Sequence, residues 1–506
     1  MGHLLGVDLG TTAIKAALFD GSGRRVAAST REYPLLTPAP QVVEQEAEVY
    51  WRAFRDALAA VLASGGVAPG RIRALGISAQ GETLLAVDRQ GRALAPAIVW
   101  MDNRAQRESD DLAAALGNQL VHEVTGQVAM LPMWPASKVL WLRRNRAELF
   151  GRVHKFLLIE DWLIHRLTGR FVAEGSLLCS TTWWELRTKR YWPRMLQELG
   201  IGEEQLPEVV EPGQAIGTIR REAAEELGLA PSTIVATGAL DQACGALGVG
   251  NVRPGIFSEC TGSNVAVVAL VEQPRTDPLR QMPCFYYGLP DTYMMHAFSM
   301  TGGMVLRWFR DGFCAEAMRE AAASGTDPYE LLTREASSIP AGAEGLVLLP
   351  HFQGAGLPEA NPRARGVLYG LSLHHTRAHV LRAILESVAL ICRRMIDAVR
   401  DLGIEVGEIR SLGGGAKSPL WCQIKADLTG LPVTTTRNTE DAACLGAAVL
   451  AGTAVGAWPS AAEALSRIVE VDRRFEPDPR QREPYELLYA DYRRLYDCLL
   501  PVFNGR

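Results

Sequence analysis

Nine cysteines stand singly along 506 residues, and no two are spaced as a C-x-x-C pair. The count is odd, so neither a disulfide framework nor a structural zinc site is expected, and a reducing compartment fits. Excess charge is missing too. A formal net charge of -5 argues against nucleic acid or an anionic membrane surface as the main partner. No apolar run reaches membrane length, because the best helical candidate, His379–Cys392, is broken by Arg382 and Glu386. The first apolar run carries Asp8, which a signal-peptide core would not, so the expectation is a cytoplasmic protein with no membrane partner. Low-complexity tracts, heptad runs and basic tails are absent as well.

What remains is a globular composition too long for one ordinary core, so two domains are expected, 1–250 and 251–506. The opening "HLLGVDLGTTAIKAALFDGSGRRVAAST" reads as strand, Gly-Thr turn, strand, tight turn, strand. A helical spacing follows at Val49, Phe54, Leu58 and Val61. Strands and helices then alternate, which indicates an α/β fold. "GIFSECTGSNVAVVAL" at Gly255–Leu270 repeats the layout of the opening, which reads equally as an internal duplication or as two unrelated hairpins.

Several turns suit an anion. Gly10, Thr11 and Thr12 offer backbone N–H groups and two hydroxyls, and Lys15 could add charge. Asp8, ending the strand, could bind Mg²⁺ directly or through water. Thr261 and Ser263 repeat that logic. Gly302 and Gly303 precede a helical segment, and Gly413, Gly414 and Gly415 lie between a strand and a helix. Each alone is more often just a turn; together they favour a nucleotide. The familiar nucleotide motifs fail, since Gly415-Ala416-Lys417-Ser418 lacks the glycine a P-loop needs before its lysine. Gly245–Gly250 is not G-x-G-x-x-G, which disfavours a Rossmann dehydrogenase. Gln80, Glu82, Trp100, Asp102, Asn103 and Arg104 bring amides, carboxylates and an indole to apparent strand ends, a set suited to sugar hydroxyls. The alternative for these segments is a surface loop with a buried Trp.

These pieces, in this order, resemble the FGGY carbohydrate kinases. The closest signature matches are "MWPASKVLWL" at Met133–Leu142 and "GVLYGLSLHHTRAHVLRAILE" at Gly366–Glu386. "LGGGAKSPLWCQIKADLTGLPV" is similar to the family's adenosine-side motif. The resemblance implies two actin- and hexokinase-like (ribonuclease H-like) α/β domains with ATP and sugar in an interdomain cleft. It implies Asp241, in "GALDQACGALG", as the catalytic base. It puts Thr11, Thr12, Lys15, Thr261, Gly302, Gly303, Gly414 and Gly415 on the ATP side, with Mg²⁺ at Asp8. Gln80, Gly81, Glu82, Trp100, Asp102, Met133, Asp241 and Gln242 fall on the sugar side. Homodimers occur among such kinases.

The chain departs from the pattern at Gly81-Glu82, where xylulokinases usually carry Met-His and glycerol kinases Arg-Glu, and at Met133, where glycerol kinases use Tyr. A ketopentose of the xylulose or ribulose type is the expected acceptor, with glycerol, another polyol or an aldonate as runner-up. An actin-like nucleotide switch is the rival from another class. Asp241 itself also reads as a helix N-cap after the strand "TIVATGAL", and at its ordinary pKa it would be ionised.

Overall fold

A computed structural model describes residues 2–437 and 439–505. It divides into two compact units, and neither is one run of chain. The first comprises residues 1–252, 270–294 and 441–469; the second comprises 253–269, 295–440 and 470–506.

In the first unit the opening forms β1 (His3–Leu9), β2 (Ala13–Phe19) and β3 (Arg25–Glu32), an antiparallel meander. Its alternation of small and branched apolar residues suits a sheet covered on both faces. Helix α1 (Ala47–Gly65) packs on β2 and β3 through Tyr50, Phe54, Ala57, Leu58 and Val61. Each of the large side chains contributes about 1.5–3 kcal/mol by leaving water. The helix stops at Gly66 in the left-handed region, where glycine is unstrained. β4 (Ile72–Ala79) then pairs parallel with β1. Helices α2 (Pro135–Asn145) and α3 (Ile159–Thr168) follow, then β5 (Ala215–Thr218) and β6 (Ile234–Leu240). β6 runs directly into helix α4 (Asp241–Gly248). The sheet order is β5-β6-β4-β1-β2-β3.

The second unit contains β7 (Gly255–Thr261), β8 (Val265–Val271), α5 (Gly303–Phe313) and the long α6 (Arg377–Asp401). After these come β9 (Val406–Leu412), α7 (Pro419–Thr429), β10 (Val433–Thr436) and, further on, β11 (Val471–Phe475). Within its sheet the run β8-β7-β9-β10-β11 has the directions of β2-β1-β4-β6-β5 in the first unit. Each is antiparallel, parallel, parallel, antiparallel. Two unrelated hairpins would not generate one repeated order, so of the two readings of "GIFSECTGSNVAVVAL" the topology favours duplication.

Helix α8 (Ala442–Ala454) belongs to the first unit, packed on α4, β1, β4 and β6. Its composition follows from that place. A Cβ on Gly248 would lie 1.8 Å from the Ala442 carbonyl oxygen, so the two helix backbones touch. Small residues on both partners let them do so, which accounts for most of "GALDQACGALG". Among the described residues no helix is long and apolar enough to cross a membrane.

Candidate active site

Three carboxylates gather where strands of the first sheet end. Asp8, on β1, accepts a hydrogen bond from the Ser78 hydroxyl at 2.9 Å. Asp241 opens α4; the cap position is Leu240, so the N-cap expectation is corrected by one residue. Its Oδ1 accepts from the Gln242 backbone N–H at 2.7 Å. Asp241 and Gln242 are both half-buried. Burial, then the nearby Asp8 charge and more weakly Glu82, pushes the Asp241 carboxyl up to about 8. The expectation of a carboxylate ionised at its ordinary pKa is therefore corrected. Burial likewise raises Asp8, against the pull of the Ser78 hydroxyl and of Lys15.

Glu82 sits at φ 56°, in the left-handed region that non-glycine residues seldom occupy. Such strain persists only where surrounding contacts enforce it. Here the enforcing group is Lys138, on α2, whose Nζ donates to the Glu82 carbonyl at 2.9 Å and the Val99 carbonyl at 3.0 Å. Lys138 is fully buried, and burial brings its ammonium down to about 7 against the pull of Glu82 and Asp102. Burial raises the Glu82 carboxyl to about 7, against Lys138. Sequence reasoning passed over Lys138, although its signal was present: a lysine among Val139, Leu140 and Leu142 must find buried partners.

The remaining sugar-side expectations separate by environment. Gln80 is buried; its amide donates to the Gly10 carbonyl at 3.1 Å and its Oε1 accepts from Thr83, tying β4 to the turn after β1. Asp102 is 0% exposed, and its oxygens accept from Val43 N at 2.6 Å and from the Arg104 backbone and guanidinium at 2.7–3.0 Å. Trp100 and Met133 are half-buried, and Gly81 lies 3.1 Å, by its would-be Cβ, from a Leu240 methyl. Trp100 is joined to the phosphate-suited turn, since its indole N–H donates to Thr11 Oγ1 at 2.8 Å. Thr12 is exposed, and Lys15 pairs with Asp441 at 2.5 Å. Among the described residues no group of three or more His, Cys, Asp or Glu side chains is arranged to hold a metal.

The second unit gathers its glycine turns around one buried ion pair. Lys425, on α7, meets Glu259 at 2.6 Å, and both side chains are fully buried. Ser411 donates to Glu259 at 2.7 Å, and Thr261 donates to the other carboxylate oxygen. Thr261 is 1% exposed, so its hydroxyl is engaged inward. Gly415 lies over this group, its would-be Cβ 2.6 Å from Thr261 Cβ. Gly414 and Gly415 open a short 3-10 turn, Gly414–Lys417, that the sequence reading did not separate from α7. The N–H groups of Gly302 and Gly303 donate to the Ser263 and Gly262 carbonyls, both at 2.9 Å, binding the start of α5 to the turn after β7.

Comparison with known proteins shows the family. The model of the FGGY family of carbohydrate kinases matches in both parts, its N-terminal domain over residues 3–248 and its C-terminal domain over 266–455. A xylulose kinase of Escherichia coli (strain K12) is 31% identical, with 98% of this chain and 99% of that protein covered. A gluconokinase of Bacillus subtilis (strain 168) is 29% identical, with 99% and 94% covered. The crystal structure of a ligand-bound xylulose kinase from Lactobacillus acidophilus superposes with a TM-score of 0.91 at 26% identity, covering 100% of both chains. The two units thus have the actin- and hexokinase-like fold, and the chain belongs to the FGGY family of carbohydrate kinases, ATP-binding phosphotransferases that act on sugars.

Proposed function

We propose that this kinase transfers the γ-phosphoryl of ATP to a hydroxyl of a small, uncharged ketose, a ketopentose of the xylulose or ribulose type, with Asp241 as general base. One observation carries the reading. Asp241 is held at the head of α4 beside Asp8 and Glu82, and its carboxyl is raised to about 8, close to a working pH. Three neighbouring acids also bear on the charge of the acceptor. An aldonate would add a further carboxylate to them. The xylulose kinase relatives support the same choice.

In the proposed reaction the acceptor oxygen attacks the γ-phosphorus, an O–P bond forms, the bond to the bridging oxygen of ADP breaks, and the hydroxyl proton passes to Asp241. A loose transition state leaves the protein mainly to position and to stabilise charge. Gln242, Glu82, Trp100 and Met133 would contact the sugar, with Gly81 leaving room beside Leu240. Gln80 and Asp102, both buried, would act through the turn and loop that they hold. In the first unit Thr11, Thr12 and Lys15 would serve the phosphates of the nucleotide; in the second unit, taken by itself, Thr261, Gly302, Gly303, Gly414 and Gly415 would serve the nucleotide. A single half-buried carboxylate, Asp8, fits Mg²⁺, which takes one or two carboxylates and otherwise water and phosphate oxygens. When bound, that ion supplies positive charge to the phosphates. A homodimer is proposed on the family resemblance alone, and light scattering reads it.

The test is an ADP-release screen over ketopentoses, ketohexoses, polyols and aldonates. A neutral ketopentose should give the highest kcat/KM; an aldonate as best acceptor overturns the reading. Glu82→Ala should raise the sugar KM by about 10-fold, as expected for loss of one charge-assisted hydrogen bond, with the ATP KM nearly unchanged. An unchanged sugar KM removes Glu82 from the acceptor pocket.

The pH dependence follows from the same carboxyl. A raised acid is protonated below its pKa and cannot accept a proton there, so kcat/KM, which reports the free enzyme, should climb with pH and level off above about 8. Asp8 and Glu82 face Asp241 as like charges, the Gln242 N–H opposes them, and Lys15 acts on Asp8. A flat profile between about pH 6 and 9, roughly the range in which a base near neutrality titrates, contradicts the assignment.

A further inference from the structure

Strand β6 is irregular just before Asp241. Its parallel register with β4 runs Ala236↔Gly76 and Thr237↔Ile77, then resumes at Ala239↔Ser78, so Gly238 is skipped. Only glycine fits there, because a Cβ would lie 1.8 Å from the Ile77 carbonyl oxygen. A bulge leaves backbone groups out of the ladder, and in a buried strand each must find another partner. At Gly238 a buried acid supplies it, and at Leu240, just past the bulge, a hydroxyl held by a second buried acid receives the N–H. Glu160, on α3, accepts from the Gly238 N–H at 2.8 Å through Oε1. The Leu240 N–H donates to Ser176 Oγ at 2.8 Å, and that hydroxyl in turn donates to Glu174 Oε1 at 2.7 Å. Glu174 also accepts from the Ser176 and Leu177 N–H groups at 2.7 and 2.8 Å. Glu160, Glu174 and Ser176 are all 0% exposed.

Burying two carboxyl groups is expensive unless they are needed. Glu160 is the plainer case, because its Oε2 has no hydrogen-bond partner among the described residues. Burial and the neighbouring Glu174 raise it well above the ordinary carboxylate range. A group of this kind does little as a charge, but it serves as a fixed acceptor.

We infer that Glu160 and the Glu174–Ser176 pair are positioning residues: they hold the bulge at Gly238 in register and so set where the Asp241 carboxylate points. The inference rests on Asp241 being the base. It acts on backbone geometry three residues and one residue ahead of that side chain, and leaves the sugar-side groups after β4 and before α2 in place.

Steady-state kinetics on the full chain separate this from a merely structural role. Glu160→Gln keeps an acceptor at Oε1 and should retain kcat within about threefold, whereas Glu160→Ala should lower kcat by about 30-fold or more, a general base being sensitive to misplacement of about 1 Å. The sugar and ATP KM values should change by less than about threefold in both. Ser176→Ala, which removes the acceptor from Leu240 N–H, should lower kcat in the same direction. Thermal unfolding of each variant reports the folded fraction, to which kcat is normalised. If Glu160→Ala and Ser176→Ala both keep parental kcat per folded molecule, the positioning role is wrong. The same holds if Glu160→Gln loses as much kcat as the alanine variant. Asp241→Asn measured alongside distinguishes the failures: its retention of turnover removes the base itself, while its inactivity beside an active Glu160→Ala removes only the positioning.

Discussion

Asp241→Asn turns over at least about 10²-fold more slowly than the parent while still binding its sugar, if the carboxylate is the proton acceptor. The exchange is nearly isosteric, and the amide oxygen can still accept from the Gln242 N–H that now meets Oδ1 at 2.7 Å. What it removes is basicity, and with it one member of a set of mutually repelling acids, Asp8, Glu82 and Asp241. Stability should hold or rise for that reason, so lost activity could not be assigned to unfolding. Sugar affinity by calorimetry and turnover by coupled ADP release complete the measurement. Turnover within tenfold of the parent would falsify the assignment. A raised carboxyl suits this task better than an ordinary one, because a base matched to the working pH both holds its deprotonated form and takes a proton readily.

The second large effect is expected in the other unit, and in stability. Lys425→Met leaves Glu259 buried with, among the described residues, the Thr261 and Ser411 hydroxyls as its side-chain donors. Breaking a buried pair by removing one partner costs about 3–5 kcal/mol, since the remaining charge stays out of water. For a unit of this size that corresponds to a fall in unfolding temperature of roughly 10 °C. Replacing both partners, Glu259→Leu with Lys425→Met, should recover most of the loss, because neither charge is then stranded. The ATP KM of the single variant should rise as well, given that Thr261 and Gly415 rest on this pair. Calorimetric scans decide the matter: an unshifted single variant, or a double variant no better than the single, would show that the pair does not support the turn.

Local features were legible in the sequence where local chemistry determines them. The meander from His3 to Glu32, the strand before Asp241 and the helix rich in small residues all follow from period, turn residues and side-chain size. The candidate residues of the first unit were legible as types, because carboxylates, amides and an indole at strand ends are unusual there. Their partners were not. Asp102 is held by the Val43 N–H, 59 positions away, and Lys15 reaches Asp441, a partner 426 positions away (441 − 15). Pairings at such separation depend on how sheets and helices stack, which no local pattern encodes. The lysines at 138 and 425 mark the limit well. Each announced by its apolar neighbours that it would be buried with partners, and neither announced which.

The return of α8 to the first unit has a consequence for synthesis on the ribosome. That unit's sheet and α4 are covered by residues 441–469, yet the chain leaves the unit at Val252 and apart from 270–294 comes back only at Asp441. At about 5–20 residues per second, making the intervening stretch of roughly 190 residues (441 − 252) takes on the order of ten to forty seconds. Through that interval the nascent chain carries Asp241 on a helix whose packing partner does not yet exist. The proposed base becomes a fixed feature of the protein only once residues 441–469 have emerged, and the time before then is when a chaperone would have most to protect.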